Sequence, residues 1–183
     1  MAKNKQKKLN SISDIHNSWI GWNKATNDIH EKLGRTSNIV GEFAEQLVRE
    51  YFEKLNDGCT YKLATASKAG YDIEKNGDIK EKIQVKTRRI TANTGKNLSD
   101  IHSWEFDTLI IVLFKEDGSI KSVRSIPKDK IKIQEKYNVN NEQCDAKKRK
   151  NGTAWVISLS DKFLDKTTDL TGDFKAQYPQ LFN

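Results

Sequence analysis

Apolar residues recur at helical spacing along one early stretch of the chain. Val40, Phe43, Ala44, Leu47, Val48, Tyr51, Phe52 and Leu55 form a stripe of period 3.6. Asn38 stands where an N-cap belongs, and Asn56-Asp57-Gly58 carries a glycine C-cap signal. An earlier segment, Ser13 to Leu33, reads as one or two helices bent near Gly21. After Gly58 the period shortens to two. Cys59 to Ala66, Tyr71 to Lys75 and Ile79 to Thr87 read as strands, the last two joined at the hairpin signal Asn76-Gly77. Thr91 to Ser103 is polar and loop-like. Asp107 to Phe114 is a continuous apolar run, as a central strand buried on both faces requires. Ser119 to Ile126 reads as a further strand, Lys128 to Tyr137 as a helix, Asn138 to Asn151 as a polar loop, Ala154 to Leu159 as a last strand and Asp161 to Leu164 as a short helix. Phe174, Tyr178 and Phe182 predict a tail that packs. This order implies an α/β fold in which helices flank a mixed β-sheet.

Composition narrows the picture. At 183 residues and 21.0 kDa, length predicts a basic flexible arm over residues 1–12 and a single domain over 13–183. No apolar run approaches the ~20 residues of a membrane span, and none follows the basic first ten residues as a secretory signal would. Cys59 and Cys144 lack the spacing of a zinc ribbon or a disulfide framework, which fits a reducing cytoplasm. His16, His30 and His102 are too scattered for a zinc site. Lys and Arg number 32 against 25 Asp and Glu, a net charge of +7. Such a surface invites a polyanion, because each neutralised phosphate releases counterions.

Three groups of residues can carry chemistry: Gly41-Glu42-Phe43-Ala44-Glu45 on the long helix, Ser67-Lys68-Ala69-Gly70-Tyr71-Asp72 before the hairpin, and Gln84-Val85-Lys86 after it. Residues i and i+2 of a strand share a face, so Gln84 and Lys86 point together while Val85 joins Ile83 in the core. An Asp on the preceding strand supplies a hard oxygen ligand for Mg2+, and the Gln oxygen a neutral one. A Lys beside them can orient the attacking water and balance charge building on a phosphate. That set suits metal-assisted phosphodiester hydrolysis.

The pattern Asp72, eleven residues, then Gln84-Val85-Lys86 resembles the PD-(D/E)-x-K nuclease superfamily of restriction-endonuclease-like proteins, in its Gln-x-Lys variant. The Gln form resembles the methylation-dependent restriction branch. The run Ser67 to Asp72 is similar to the S-K-G-x-D run of archaeal Holliday-junction resolvases, with one residue inserted. Those enzymes carry a Gly followed four residues later by a Glu, a spacing matched by Gly41 and Glu45. The resemblance covers residues 38–126, the expected catalytic core. It implies a restriction-endonuclease-like mixed sheet, catalytic Asp72, Gln84, Lys86 and Glu45, and Mg2+ (or Mn2+) held by Asp72, Gln84, Glu45 and the Val85 carbonyl. Gln84 in place of an acid removes one charge, for which Glu45, at the border of the apolar stripe, compensates better than Glu42. Glu74 and Glu81 are alternatives that depend on strand register. A tight turn at Asn76-Gly77 would pair Asp72 with Glu81 and leave Gln84 about 10 Å further on. A looser turn, through Lys80 for example, or a bulge would reunite them.

Lys68, Arg88, Arg89 and Arg35 are the basic residues expected against the phosphates of double-stranded DNA. The resulting expectation is a Mg2+-dependent DNA endonuclease of restriction type, cytoplasmic, and homodimeric because cutting both strands takes two sites. The rival readings are a non-catalytic DNA-binding module on the same fold and a junction-selective nuclease.

Overall fold

The computed structural model describes residues 39–64, 70–92, 96–137 and 144–182, together with Asn17, Ser18 and Gly21, which are helical. The chain divides into two compact units, Met1–Ser37 and Asn38–Asn183. The expected domain start at residue 13 and the Ser13–Leu33 helices fall almost wholly outside the described residues.

In the second unit, helix α1 spans Ile39–Lys54. Strands β1 (Thr60–Leu63), β2 (Ile73–Asn76), β3 (Glu81–Arg89), β4 (Thr108–Phe114) and β5 (Ile120–Pro127) follow, then β6 (Ala146–Lys148) and β7 (Trp155–Ile157). Helix α2 (Asp161–Leu164), strand β8 (Thr168–Asp169), helix α3 (Thr171–Gln177) and a 3-10 turn over Pro179–Phe182 follow. Six strands form one sheet in the order β1-β2-β3-β4-β5-β8, while β6 and β7 form a separate two-stranded ribbon. The fold is therefore α/β with a mixed sheet: β3 and β4 run parallel and the other neighbours antiparallel.

The apolar stripe of α1 explains its docking. Phe43, Ala44, Leu47, Val48 and Tyr51 are buried, and the helix lies across β1 and β3. Phe52 stacks on Tyr61 of β1 at 5.3 Å, Phe43 meets Phe114 of β4 at 6.3 Å, and Tyr51 stacks on Phe174 of α3 at 3.8 Å. The helix ends through Asn56, whose φ of +50° is left-handed; Gly58, also left-handed, comes two residues later than a direct cap would.

Strand β4 is buried on both faces from Leu109 to Phe114. Phe114 faces α1, and with it, by alternation, Ile110 and Val112. Leu109, Ile111 and Leu113 enter a second core with Leu98, Ile101 and Phe106 of the β3–β4 crossover and Ala146 and Ile157 of the ribbon. Laterally paired residues share a face, so the parallel register carries this division onto β3. Val85 pairs with Ile110 and faces α1; Gln84, Lys86 and Arg88 pair with Leu109, Ile111 and Leu113 and face the second core.

Two expectations are corrected. Lys128–Tyr137 is not a helix: a 3-10 turn over Lys128–Lys130 gives way to extended chain, and Ile133 bridges Ala146 in parallel. Ile131 and Ile133 are spaced for a strand, and this pairing overrides helical propensity. The polar loop expected over 138–151 contains β6, while residues 138–143 lie outside the described residues.

Candidate active site

The hairpin turn is the looser of the two alternatives. Strands β2 and β3 pair Ile73 with Ile83, Glu74 with Lys82 and Lys75 with Glu81, so the connection runs from Asn76 through Lys80. The tight turn would put Ile73 and Ile83 on opposite faces of the sheet. Both are buried, at 0% and 2% exposure, and burying both on the α1 face decides the register. One step beyond the last pair, the Asp72 and Gln84 side chains meet.

Asp72 is tied on both sides. Its N–H donates to the Ile83 carbonyl at 2.9 Å, and its own carbonyl accepts from Ala64 at 2.8 Å. Its carboxylate Oδ2 accepts from the Val85 N–H at 2.7 Å and from the Gln84 amide nitrogen. Gln84 Nε2 also lies 3.3 Å from the Val85 carbonyl. At 7% exposure, Gln84 is one of two buried polar residues among the described ones, the other being Ser119. Of the alternative compensators, Glu81 is occupied elsewhere: its Oε1 accepts from the Thr108 hydroxyl at 2.5 Å, while Glu74 stands opposite Lys82 in the β2–β3 ladder.

Glu45, on α1, lies close enough to Asp72 and Lys86 to feel their charges. Gly41 sits one turn earlier, and a Cβ there would be in ordinary van der Waals contact with Glu45 Oε1, at 4.0 Å. Burial, then the charges of Asp72 and Glu42, push the Glu45 carboxyl up to about 7 against the opposing pull of Lys86. Burial likewise raises Asp72, opposed by the Val85 N–H, Lys86 and Gln84. Glu42 itself is exposed. The structure thus brings Asp72, Gln84 and Val85 into direct contact and places Lys86 and Glu45 within reach of their charges.

A divalent cation fits this donor set. The available ligands are hard oxygens: two carboxylates, the Val85 carbonyl and the Gln84 amide oxygen. Two half-buried acids, each disfavoured as an anion, form a site whose charge a cation would relieve. Among the described residues no three His, Cys, Asp or Glu side chains cluster as ligands, so an ion here would depend on the amide and carbonyl oxygens.

The basic residues separate. Arg88 shares the face of Gln84 and Lys86, and its Nε is buried without a hydrogen-bond partner. Arg89 points the other way, and its guanidinium donates to the Glu116 carbonyl. Lys68 and Arg35 lie outside the described residues.

Two features escape a reading of the sequence. A Cβ on Gly70 would collide with the Ser103 side chain and sit 3.1 Å from Glu105 Cβ. The crossover therefore presses against the chain two residues before Asp72 and fixes its approach. The Gly in Ser67-to-Asp72 is the only signal of this, and its partner is 33 residues away. Tyr71 packs on the second core beneath Lys82, whose Nζ lies 5.0 Å from the ring.

No protein-family model matches the chain, and no curated protein matches it.

Proposed function

We propose that the protein is a metal-dependent DNA endonuclease with a restriction-endonuclease-like fold. The observation that carries this reading is Asp72 bonded across the hairpin to the Gln84–Val85 peptide, with Lys86 on the same face. The antiparallel run β1-β2-β3, the parallel step to β4 and the acid-bearing helix α1 accord with it.

Asp72, Gln84, Glu45 and the Val85 carbonyl would hold Mg2+, with Mn2+ as a substitute. The bound ion supplies Lewis-acid activation of the water and neutralises charge at the scissile phosphate. Lys86 orients the attacking water and offsets negative charge as the phosphorus becomes five-coordinate. Arg88, two residues along the same face, holds an adjacent phosphate. Val85 and Ile83 anchor the strand so that these side chains keep their direction. Cleavage of both strands of a duplex takes two such sites, hence a homodimer. A cytoplasmic setting accords with the unpaired cysteines, and no helix among the described residues is long and apolar enough to cross a membrane.

One observation favours the rival, a DNA-binding module without catalysis. The Gln84 amide turns its nitrogen toward Asp72 and so satisfies the carboxylate without a cation. Turning the amide over would set Oε1 against the carboxylate, an arrangement that needs a cation between them. Plasmid cleavage in Mg2+ by wild type and Lys86→Ala separates the two. The nuclease reading expects nicking or linearisation by wild type and loss in the variant. Metal-independent binding without cleavage by either protein would establish the rival.

A further inference from the structure

We infer that the β6–β7 ribbon is a second DNA-contacting element, with Lys147 and Lys150 seated against backbone phosphates beside the cleaved bond. The ribbon lies on the sheet face that carries Gln84, Lys86 and Arg88, because Ala146 and Ile157 enter the core built on Leu109, Ile111 and Leu113. It is also joined to the crossover that braces Asp72: Ile101 bridges Trp155, and Trp155 meets Trp104 edge-on at 5.9 Å. From Ala146 to Ser160 there are four basic residues and no acid.

Two acids beside the ribbon are already paired. Asp145, with a side chain 8% exposed, is bound by Lys166 at 2.6 Å and accepts from the Lys132 N–H at 2.8 Å. Asp100 is bound by Arg149 at 2.7 Å. Lys148 lies 5.1 Å over the Trp155 ring. Lys147 and Lys150 remain exposed, and among the described residues no acid pairs with them. The turn between the strands is held by Gly152, at φ +73°, and by its N–H to the Arg149 carbonyl at 2.9 Å. A two-stranded ribbon with one exposed lysine on a strand and another in its turn suits B-form DNA, whose major groove admits such a ribbon; the deep, narrow groove of A-form RNA does not.

The inference rests on the nuclease reading only for the identity of the polyanion. Its test is an anisotropy titration of the full chain with a labelled DNA duplex in EDTA, over a range of NaCl concentrations. Lys147→Ala/Lys150→Ala is expected to lower the salt slope by about 2 and the affinity at 0.1 M salt by about tenfold or more. Lys147→Arg/Lys150→Arg should retain both, and melting temperatures should stay unchanged because the two side chains are exposed. Lys121→Ala/Lys175→Ala removes the same charge from other exposed positions and should leave the slope close to wild type. Equal effects of the two alanine pairs, no duplex binding by wild type, or tighter binding of an RNA duplex would each overturn the inference. Cleavage distinguishes the two readings. Ribbon-dependent binding without Mg2+-dependent cleavage removes the nuclease reading alone, and cleavage with an unaffected slope removes the ribbon alone.

Discussion

Strands β3 and β4 lie side by side in one register, yet they differ on the face turned from α1. β4 is apolar on both faces from Leu109 to Phe114. β3 is apolar only toward α1; toward the second core it sets Gln84, Lys86 and Arg88 beside Leu109, Ile111 and Leu113. Burying an amide and half-burying two cations there costs stability that aliphatic side chains would not. The proposed nuclease accounts for that cost as placement of those groups for chemistry, and β4 offsets it with apolar burial.

Substitutions in the two strands should therefore separate folding from activity. The largest effect is expected at Asp72→Asn, with cleavage lowered by about 10³-fold or more while the far-ultraviolet spectrum is retained, since in the proposed site the loss would fall on metal binding and water activation together. Next, Ile111→Ala should destabilise the fold by about 2–5 kcal/mol in denaturant titrations, because its side chain is 0% exposed in a packed layer. Lys86→Met, one register step across from it, should change stability by about 1 kcal/mol or less and still abolish cleavage. Equal losses of stability at the two positions would erase the contrast.

Gln84→Glu sharpens the comparison by giving opposite signs with and without metal. A third carboxylate should raise Mg2+ affinity by about tenfold in calorimetry, since affinity follows ligand charge. Without metal the same change removes the amide donor to Asp72 and adds a like charge beside it, lowering stability by about 1–3 kcal/mol.

The pH dependence follows from Glu45. Its carboxyl is raised in the fold from 4.5 to about 7, first by burial and then by Asp72 and Glu42. The folded chain therefore holds the proton more tightly than the unfolded one, and stability falls as pH rises from about 4.5 through 7. Glu45→Gln should flatten that decline in thermal melts. Magnesium bound as proposed would displace the proton, so its stabilising shift in melting temperature should grow between pH 6 and 8 in wild type and stay level in the variant. The smallest effect is expected at Arg88→Gln, with a salt slope for duplex binding lower by about 1.

Much of the frame is legible in the sequence because burial enforces periodicity: the α1 stripe, the apolar run of β4, and the tail residues Phe174, Tyr178 and Phe182, which are buried as their size demands. The candidate site is legible as far as the alternation Gln84–Lys86. Its register is not, since Asn76-Gly77 advertises a tight turn while the shared face of Ile73 and Ile83 requires a longer one. The ribbon is hidden for a different reason. Strand β6 is short and its exposed side is lysine, so only Ala146 marks it as a strand, and its partners Ile133 and Ile157 are distant in sequence. The pinning of Gly70 by Ser103 is equally long-range, and no local pattern encodes it.

The central claim is that the oxygens of Asp72, Gln84 and Glu45 share one divalent ion. Anomalous scattering from a crystal soaked in Mn2+ tests it most directly. The account predicts a peak about 2 Å from the Asp72 carboxylate, with the Gln84 amide turned so that its oxygen faces the ion. A loaded crystal with no peak there, and Gln84 Nε2 still donating to Asp72, would contradict it.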